Sequence, residues 1–179
     1  SRRLALEVGI PLADLDAVEG VDLAIDGADQ VVDDADAATF GALVKGGGAA
    51  HAREKIVGAA ADRFVLVADP SKLTARLEHP VPVAVLPDAY TVVADRITEL
   101  GGEPTLRSAE RKDGPVVTDN GNLVLDCAFG AIDDPETLAT RLSSVPGVVE
   151  HGLSVDLADA ALGHVLDRVH DSLIPGAAA

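Results

Sequence analysis

The sequence predicts an α/β fold in which a Rossmann-like parallel-sheet domain carries an inserted ferredoxin-like α+β domain. Residues 21–25 and 64–68 are short apolar runs of the kind that form buried parallel strands, and a helical segment separates them. From residue 81 onwards the elements follow the order strand, helix, strand, strand, helix, strand, which is the ferredoxin-like pattern. We therefore expect one domain from residues 1–80 plus 153–179 and a second from residues 81–152.

The first predicted domain opens with the end of a helix at residues 1–7, which Gly9 and Pro11 stop. A short strand is expected at residues 10–12. The segment at residues 31–40 is rich in Asp and Ala, which is typical of a solvated loop.

Residues 49–61 predict the helix that separates the two parallel strands. Its apolar stripe contains Ala49, Ala52, Ile56 and Ala59, so this face is expected to pack on the sheet. Because Glu54 is off the stripe, periodicity alone predicts that it belongs to a solvated face.

The second predicted domain has clear boundary signals. Asp119-Asn120-Gly121 is a hairpin turn sequence, and Asp134 before Pro135 supplies a helix N-cap and a first-turn proline. Cys127 and Tyr90 are both expected to serve packing rather than chemistry. The predicted strands are residues 81–86, 105–107, 116–117, 123–127 and 148–150, and the predicted helices are residues 90–100 and 133–142.

Charge is the most unusual feature of the composition. The chain carries 30 acidic against 14 basic side chains, a formal net charge of −16. Such a protein repels nucleic acid, so no nucleic-acid partner is expected. An acidic, lysine-poor surface suits a protein that works in concentrated salt, where charges are screened; an ordinary acidic cytosolic protein is the alternative. Lys45, Lys55 and Lys72 fall in or just after residues 26–55, which fits a local anion site.

The compartment is indicated by two further observations. One cysteine allows no internal disulfide and fits a reducing environment. No apolar run approaches the ~20 residues that span a bilayer. We therefore expect a cytoplasmic protein with no membrane partner.

Residues 26–55 concentrate the groups that can do chemistry. Asp26 and Asp29 follow a predicted strand, at the end where open α/β sheets bind ligands. Lys45 precedes the glycine run 46–48, whose N–H groups can form an anion nest beside the N-terminus of a helix. A triple glycine alone fits a flexible turn equally well. With the two aspartates and Glu54 it indicates a site for a small anion.

Six short motifs are spread along most of the chain. They are Asp-Gly-Ala-Asp at 26–29, Lys-Gly-Gly-Gly-Ala-Ala at 45–50, Arg-Glu-Lys at 53–55, Ala-Asp-Pro-Ser-Lys at 68–72, Val-Thr-Asp-Asn-Gly-Asn at 117–122 and Pro-Gly-Val-Val at 146–149. With these motifs the chain resembles ribose-5-phosphate isomerase of the A type, and the resemblance covers most of its length. The resemblance implies interconversion of ribose 5-phosphate and ribulose 5-phosphate by proton transfer through an enediolate, in the non-oxidative branch of the pentose phosphate pathway, with no cofactor and no metal.

The resemblance also implies roles for individual residues. Glu54 is the base that moves the proton, and Lys45 stabilises substrate oxygens together with the glycine amides. Asp26 and Asp29 handle the sugar hydroxyls and ring opening, with no division of labour between them. The implied substrate-binding residues are Asp26, Gly27, Ala28, Asp29, Lys45, Gly46, Gly47, Gly48 and Lys72.

Other interpretations of the same residues stay open. Asp26 and Asp29 are of the residue type that binds Mg²⁺, although no further carboxylate cluster accompanies them. His51, in the first turn of a predicted helix, is expected to be exposed. The whole chain could instead be a non-catalytic sugar-phosphate-binding or regulatory domain, or another proton-transfer isomerase acting on a phosphorylated sugar. The histidines without ligand-like pairing are His151, His164 and His170.

One departure from the family pattern concerns the phosphate. The resemblance implies a Gly-Thr-Gly-Ser-Thr phosphate loop after the first strand, and that motif does not occur here. We therefore expect that the sequence starts after this loop. On that interpretation the 179 residues alone are unstable and essentially inactive, whereas the parent protein is active as a homodimer or homotetramer.

The tail, residues 153–179, supports two interpretations. The resemblance implies that residues 157–160 lead into a final strand of the first domain. Five apolar side chains have helical spacing instead, and the sequence leaves both possibilities open. These side chains are Leu162, Val165, Leu166, Val169 and Leu173.

The charge imbalance predicts that salt stabilises the fold. Repulsion among 30 acidic and 14 basic groups is strongest in dilute buffer, where the Debye length reaches ~30 Å at 0.01 M salt. We expect the melting temperature to rise steeply with KCl or NaCl. A melting temperature that stays flat between dilute buffer and molar salt would identify an ordinary acidic protein instead.

Overall fold

The computed structural model describes residues 2–32, 41–110, 113–158 and 160–162. Within these ranges the strands form three sheets, and none of the helices is long and apolar enough to cross a bilayer. The helices are α1 (Arg2–Glu7), α2 (His51–Ala60), α3 (Tyr90–Glu99) and α4 (Pro135–Ser143), with 3-10 turns at Leu15–Ala17, Pro70–Lys72 and Pro87–Ala89. The strands are β1 (Ala24–Gly27), β2 (Gln30–Val32), β3 (Leu43–Val44), β4 (Phe64–Val67), β5 (Leu73–Thr74), β6 (Val81–Val85), β7 (Glu103–Leu106), β8 (Leu123–Ala128), β9 (Val148–His151), β10 (Leu153–Ser154) and β11 (Ala160–Leu162).

The first sheet is parallel, in the order β1-β4-β11. The two predicted parallel strands pair directly, with Asp26 opposite Leu66. The strand β11 pairs with the other side of β4, so the strand interpretation of the tail is correct at residues 160–162. The helical alternative falls mainly on residues 163–179, which lie outside the described residues.

The strand β1 differs from the prediction in position and burial. It runs from Ala24 to Gly27 rather than over residues 21–25, so Asp26 lies within the strand. It is an edge strand of the described sheet, and successive side chains of a strand point to opposite faces. Ala24 is therefore buried, whereas Ile25 is 63% exposed, and the prediction of a fully buried strand was wrong for this face.

The second sheet, in the order β10-β3-β2-β5, was not predicted. Its strands are two or three residues long, too short to show a period in the sequence. The solvated loop expected at residues 31–40 is wrong at its start, because Val31 is fully buried in β2; residues 33–40 lie outside the described residues. The strand expected at residues 10–12 does not form, and these residues are exposed.

The third sheet is antiparallel, in the order β7-β8-β6-β9, and two helices connect its strands. This is the strand, helix, strand, strand, helix, strand arrangement that the sequence predicts, so the α/β fold class with a ferredoxin-like sheet is confirmed. Its hydrophobic core continues into the second sheet through Val44 and Leu153. The exact domain boundaries remain a prediction.

Local signals in the third sheet are mostly confirmed. Asp134 accepts a hydrogen bond from the Thr137 amide at 2.9 Å, which caps α4. Gly121 takes a positive φ of 83° in the predicted hairpin turn. Cys127 is buried, and burial raises the pKa of its thiol to about 12, so it does not act as a nucleophile. Tyr90 departs from expectation, since it is 41% exposed at the start of α3.

The helix α2 forms as predicted, but with a different buried face. Its buried residues are His51, Ala52 and Gly58, whereas Ile56 is 55% exposed. Gly58 lies under the ring of Phe64, where a Cβ would come within 3.0 Å of the ring carbons. The apolar stripe was misread because the helix packs through small residues and one histidine rather than through its largest aliphatic side chain.

Gly152 joins the second and third sheets by a close backbone contact. Its amide donates to the Pro82 carbonyl at 2.7 Å, and its carbonyl accepts from the Lys45 amide at 2.9 Å. A Cβ at this position would overlap the carbonyl oxygen of Lys45 and approach the Pro82 ring at 2.9 Å. Only glycine fits between these two segments.

We predict that Gly152→Ala separates these segments. Overpacking of this kind costs about 1–3 kcal/mol or more, because backbone rather than a flexible side chain must move. The variant should unfold at a lower temperature in molar salt. Gly20→Ala is the matched control, since Gly20 has no heavy atom within 4 Å of an added Cβ. Equal melting temperatures for the two variants would contradict the contact.

Two histidines are buried in these packed regions. His51 lies in the first turn of α2, and His151 at the end of β9, and both are at most 2% exposed. Burial lowers the pKa of each imidazole from 6.5 to about 4. Between these values the unfolded chain binds protons that the folded chain excludes, so the free energy of unfolding falls as the pH falls.

We predict that the folded state loses stability between pH 6.5 and about pH 4 and that His51 contributes to this loss. One such histidine accounts for up to about 1.4 kcal/mol per pH unit within the window. Denaturant unfolding at several pH values should show a shallower pH slope for His51→Gln. The exposed His79 provides the control variant His79→Asn, which should keep the wild-type slope. An unchanged slope for His51→Gln would contradict a neutral buried imidazole.

Candidate active site

Lys45 is the centre of the site. It follows β3 directly, and only 3% of its side chain is exposed. Its ammonium lies 2.7 Å from the Asp26 carboxylate and also hydrogen bonds the Glu54 carboxylate. The structure therefore brings together three of the four residues that the resemblance assigns to catalysis.

Three elements supply these charges. The strand β1 contributes Asp26, the residue after β3 contributes Lys45, and the first turn of α2 contributes Glu54. A buried ammonium is costly unless it is paired and hydrogen bonded. The pairing explains why Glu54 is only partly exposed, on a helix face that periodicity predicted to be solvated.

Asp29, the fourth predicted catalytic residue, holds the glycine loop. Its carboxylate accepts a hydrogen bond from the Gly47 amide at 2.9 Å, and its own amide donates to the Val44 carbonyl at 2.8 Å. Gly46 takes a positive φ of 107°, and a Cβ there would clash with the His51 ring. The Gly48 amide has no hydrogen-bond partner in the described part of the chain and is open to an anion.

Gly27 and Ala28 connect the two aspartates. The Gly27 amide donates to the Asp26 carboxylate at 2.7 Å, which fixes the direction of that side chain. Ala28 packs against the core of the parallel sheet. Neither residue offers a side chain to a ligand, so any contact they make with substrate is through the backbone.

Lys55 and Lys72, which the sequence analysis groups with Lys45, lie in different places in the structure. Lys72 ends the 3-10 turn after β4, on the same sheet edge as Asp26, and makes no ion pair within the described ranges. Lys55 instead points away to Glu150, at 2.8 Å, and to the carbonyls of His151 and Leu153. The prediction of three lysines at one anion site is wrong for Lys55, which fastens α2 to β9 and β10.

His51 contradicts its prediction as an exposed residue. It is 1% exposed and lies against Gly46, behind the glycine loop. Because burial lowers its pKa to about 4, the ring is neutral at physiological pH and adds no charge beside Lys45. No sequence signal marked it, since a histidine at a helix start is ordinarily solvated.

Sequence reasoning missed Arg107. It follows β7 in the third sheet, yet its guanidinium reaches the Gly46 and Gly47 carbonyls at 3.1 and 3.0 Å. The residue lies 60 positions or more from the loop in sequence, so neither spacing nor periodicity connects the two. The Asp126 carboxylate on β8 holds the other side of the guanidinium.

Two open cavities adjoin these residues. One of about 270 Å³ is lined by Asp26, Arg53 and Glu54 together with apolar side chains. The other, of about 570 Å³, lies along Gly47, Gly48 and Arg107. No group of three or more His, Cys, Asp or Glu side chains suited to a metal ion occurs among the described residues. The arrangement offers carboxylate bases, a buried ammonium and a free backbone amide, which are the groups that proton transfer next to a carbonyl requires.

Comparison with known proteins agrees with this chemistry. Residues 1–164 match the family described as ribose 5-phosphate isomerase A (phosphoriboisomerase A). Ribose-5-phosphate isomerase A from Halorubrum lacusprofundi is 63% identical over 164 residues, which cover 89% of this chain and 68% of that protein. That this relative is haloarchaeal fits the salt adaptation that the composition predicts.

Solved structures give the same result. Ribose 5-phosphate isomerase A from Methanocaldococcus jannaschii aligns with a TM-score of 0.79 at 45% identity, covering 86% of this chain and 66% of that one. A D-ribose-5-phosphate isomerase in complex with phospho-erythronic acid aligns with a TM-score of 0.81 at 40% identity, covering 88% and 67%. The chain thus spans about two thirds of the length of these relatives. It belongs to the ribose 5-phosphate isomerase A family.

Proposed function

We propose that this chain carries the catalytic site of an aldose–ketose isomerase that interconverts ribose 5-phosphate and ribulose 5-phosphate. The single observation that supports this most strongly is the buried Lys45 ammonium held between Asp26 and Glu54. A carboxylate base beside a fixed cation is what enediolate chemistry needs, because a proton leaves carbon while negative charge grows on oxygen.

The proton transfer assigns each group a task. Glu54 removes the proton from C2 of the open-chain aldose, and the electron pair moves through the new C1–C2 double bond onto the carbonyl oxygen. Lys45 and the Gly48 amide stabilise that oxygen. The C2 hydroxyl passes its proton to the C1 oxygen, and Glu54 returns its proton to C1 as the C2 oxygen becomes the carbonyl, which leaves the ketose. Atoms and charge balance without a cofactor or a metal.

Ring opening precedes this step and requires a second carboxylate near the sugar hydroxyls. Asp26 and Asp29 both meet that requirement, since Asp26 lies beside Lys45 and Asp29 holds the Gly47 amide. The two side chains are engaged in different contacts, so we propose that they act on different hydroxyls of the sugar. Gly27 and Ala28 place both carboxylates through the intervening backbone.

The phosphate end of the substrate calls for a cation that is not already neutralised. Lys72 fits, because it has no ion-pair partner among the described residues and lies at the same edge of the parallel sheet as Asp26. A relative binds phospho-erythronic acid, a phosphorylated acid one carbon shorter than the substrate. We propose that this chain binds the same compound with its carboxylate at Lys45 and its phosphate towards Lys72.

Assembly and compartment are part of the same proposal. Four apolar side chains are each more than 60% exposed, namely Leu4, Leu6, Val8 and Ile25. Exposed apolar side chains in this number favour burial against another subunit. We propose a homodimer or homotetramer that works in the cytoplasm. Nothing in the described fold or in the relatives favours the alternative of a non-catalytic sugar-phosphate-binding domain, and the base Glu54, which such a domain would not need, is in contact with Lys45.

We predict that Glu54→Gln in the natural full-length protein lowers kcat by several powers of ten, beyond the ~10²–10⁴ usual for loss of a general base, because the other carboxylate at Lys45, that of Asp26, is proposed to act on a sugar hydroxyl rather than on the C2 proton. KM should change little, since the amide keeps the shape of the side chain. The assay follows ribose 5-phosphate to ribulose 5-phosphate in molar salt.

The control is Glu136→Gln, which makes the same chemical change on the exposed face of α4 and should leave kcat unchanged. If Glu54→Gln keeps about a tenth of wild-type turnover, the base is another residue. Parallel assays with a chelator test the metal-free mechanism. Wild-type protein that fails to isomerise ribose 5-phosphate with or without the chelator would overturn the proposed function itself.

A further inference from the structure

Arg107 belongs to the third sheet, yet its side chain ends on the catalytic glycine loop. Its backbone is fixed on both sides, since its amide donates to the Val124 carbonyl at 2.9 Å and its carbonyl accepts from the Val116 amide at 2.8 Å. Only 16% of the side chain is exposed. The guanidinium is therefore held from a rigid sheet rather than extended from a loop.

The guanidinium uses both of its edges. Nε donates to Asp126 Oδ2 at 2.8 Å, and Nη2 pairs with the other oxygen of the same carboxylate. Nη1 donates to the carbonyls of Gly46 and Gly47. A planar fork with this many directed donors cannot be replaced by an ammonium group. Asp126 also neutralises the charge, so Arg107 does not compete with Lys45 for an anion.

These contacts determine where the loop amides point. The peptide bonds of the loop are trans, and in a trans peptide the C=O and N–H bonds point in opposite directions. With the Gly46 carbonyl turned to Arg107, the Gly47 amide must face away from it, and it meets Asp29 at 2.9 Å. With the Gly47 carbonyl turned to Arg107, the Gly48 amide must also face away, where it is open to a substrate oxygen.

Glycine loops do not hold such an orientation by themselves. Glycine has little intrinsic backbone preference, and Gly47 and Gly48 are exposed. The Ala49 amide holds the Gly46 carbonyl at 3.0 Å and Asp29 holds the Gly47 amide at 2.9 Å. Among the described residues Arg107 is the group that holds the Gly47 carbonyl, so it constrains the peptide that carries the Gly48 amide. Its hydrogen bonds also polarise the two peptides, which makes their N–H groups stronger donors.

We propose that Arg107 is a positioning residue for the isomerisation, which fixes the Gly47 and Gly48 amides and so sets the oxyanion-binding geometry from the inserted sheet. This inference rests on the proposed function. It predicts that loss of Arg107 destabilises the enediolate, in which negative charge has built up on oxygen, more than it destabilises the bound substrate.

The test compares Arg107→Lys with Arg76→Lys in the full-length protein. Arg76 also pairs with an aspartate, Asp133, but at the surface away from the loop, so it is a matched control. We expect Arg107→Lys to lower kcat about 10- to 100-fold, less than the ~10²–10³ that follows loss of a whole oxyanion donor. KM and the melting temperature should change far less, and Arg76→Lys should be like wild type.

Two further variants keep the proposal falsifiable if Arg107→Lys folds poorly. Asp126→Asn retains the arginine but weakens its hold, and it should lower kcat in the same direction. Arg107→Ala should regain turnover when guanidinium is added to the assay, an effect that a purely structural role would not produce. Phospho-erythronic acid should bind the Arg107 variants less tightly than it binds wild type.

Three outcomes separate the possible failures. Wild-type turnover by Arg107→Lys, in a protein that isomerises ribose 5-phosphate and is disabled by Glu54→Gln, would overturn the positioning role alone. A fall in kcat that only accompanies a lower melting temperature, with no rescue by guanidinium and an unchanged Asp126→Asn variant, would also overturn it. Absence of isomerisation in the wild type would instead overturn the proposed function.

Discussion

A buried ammonium group is the constraint on which this structure depends. The Lys45 side chain is almost completely removed from water, so its charge must be neutralised within the fold. Asp26 and Glu54 do this from a parallel strand and from a helix. The elements cannot shift independently, because breaking either contact would leave the buried ammonium with one carboxylate partner instead of two, which is more costly than losing an exposed ion pair. The geometry of the proposed site is therefore also a folding requirement.

The backbone on either side of Lys45 extends this constraint to the other sheets. Its amide is bound by the Gly152 carbonyl at the edge of the third sheet, and the following glycine carbonyls are bound by Arg107. The ferredoxin-like sheet thus contributes no proposed acid or base, but it fixes both ends of the segment that carries the cation and the amides. A domain of this kind can tune turnover through position alone.

Much of the fold followed from the sequence, and the differences have physical causes. The parallel strands and the ferredoxin-like order were predictable because their apolar runs and turn residues are local signals. The second sheet was not, since its strands are too short to show periodicity. Of the site, the motifs identified Lys45, Asp26, Asp29 and Glu54 as a group. Arg107 escaped because it acts through tertiary contacts between residues that are distant in sequence.

The charge distribution explains how an acidic protein can handle an anionic substrate. A net charge of −16 repels a phosphorylated sugar at long range in dilute buffer. Molar salt reduces the Debye length to ~3 Å, which removes that repulsion but leaves contacts between buried groups largely intact. The contact between the Lys45 ammonium and the Asp26 carboxylate, at 2.7 Å, is one of the contacts that salt screens little. Salt thus suppresses the unfavourable long-range field while the short-range interactions of the site persist, so a highly acidic surface and a cationic site are compatible in one small protein.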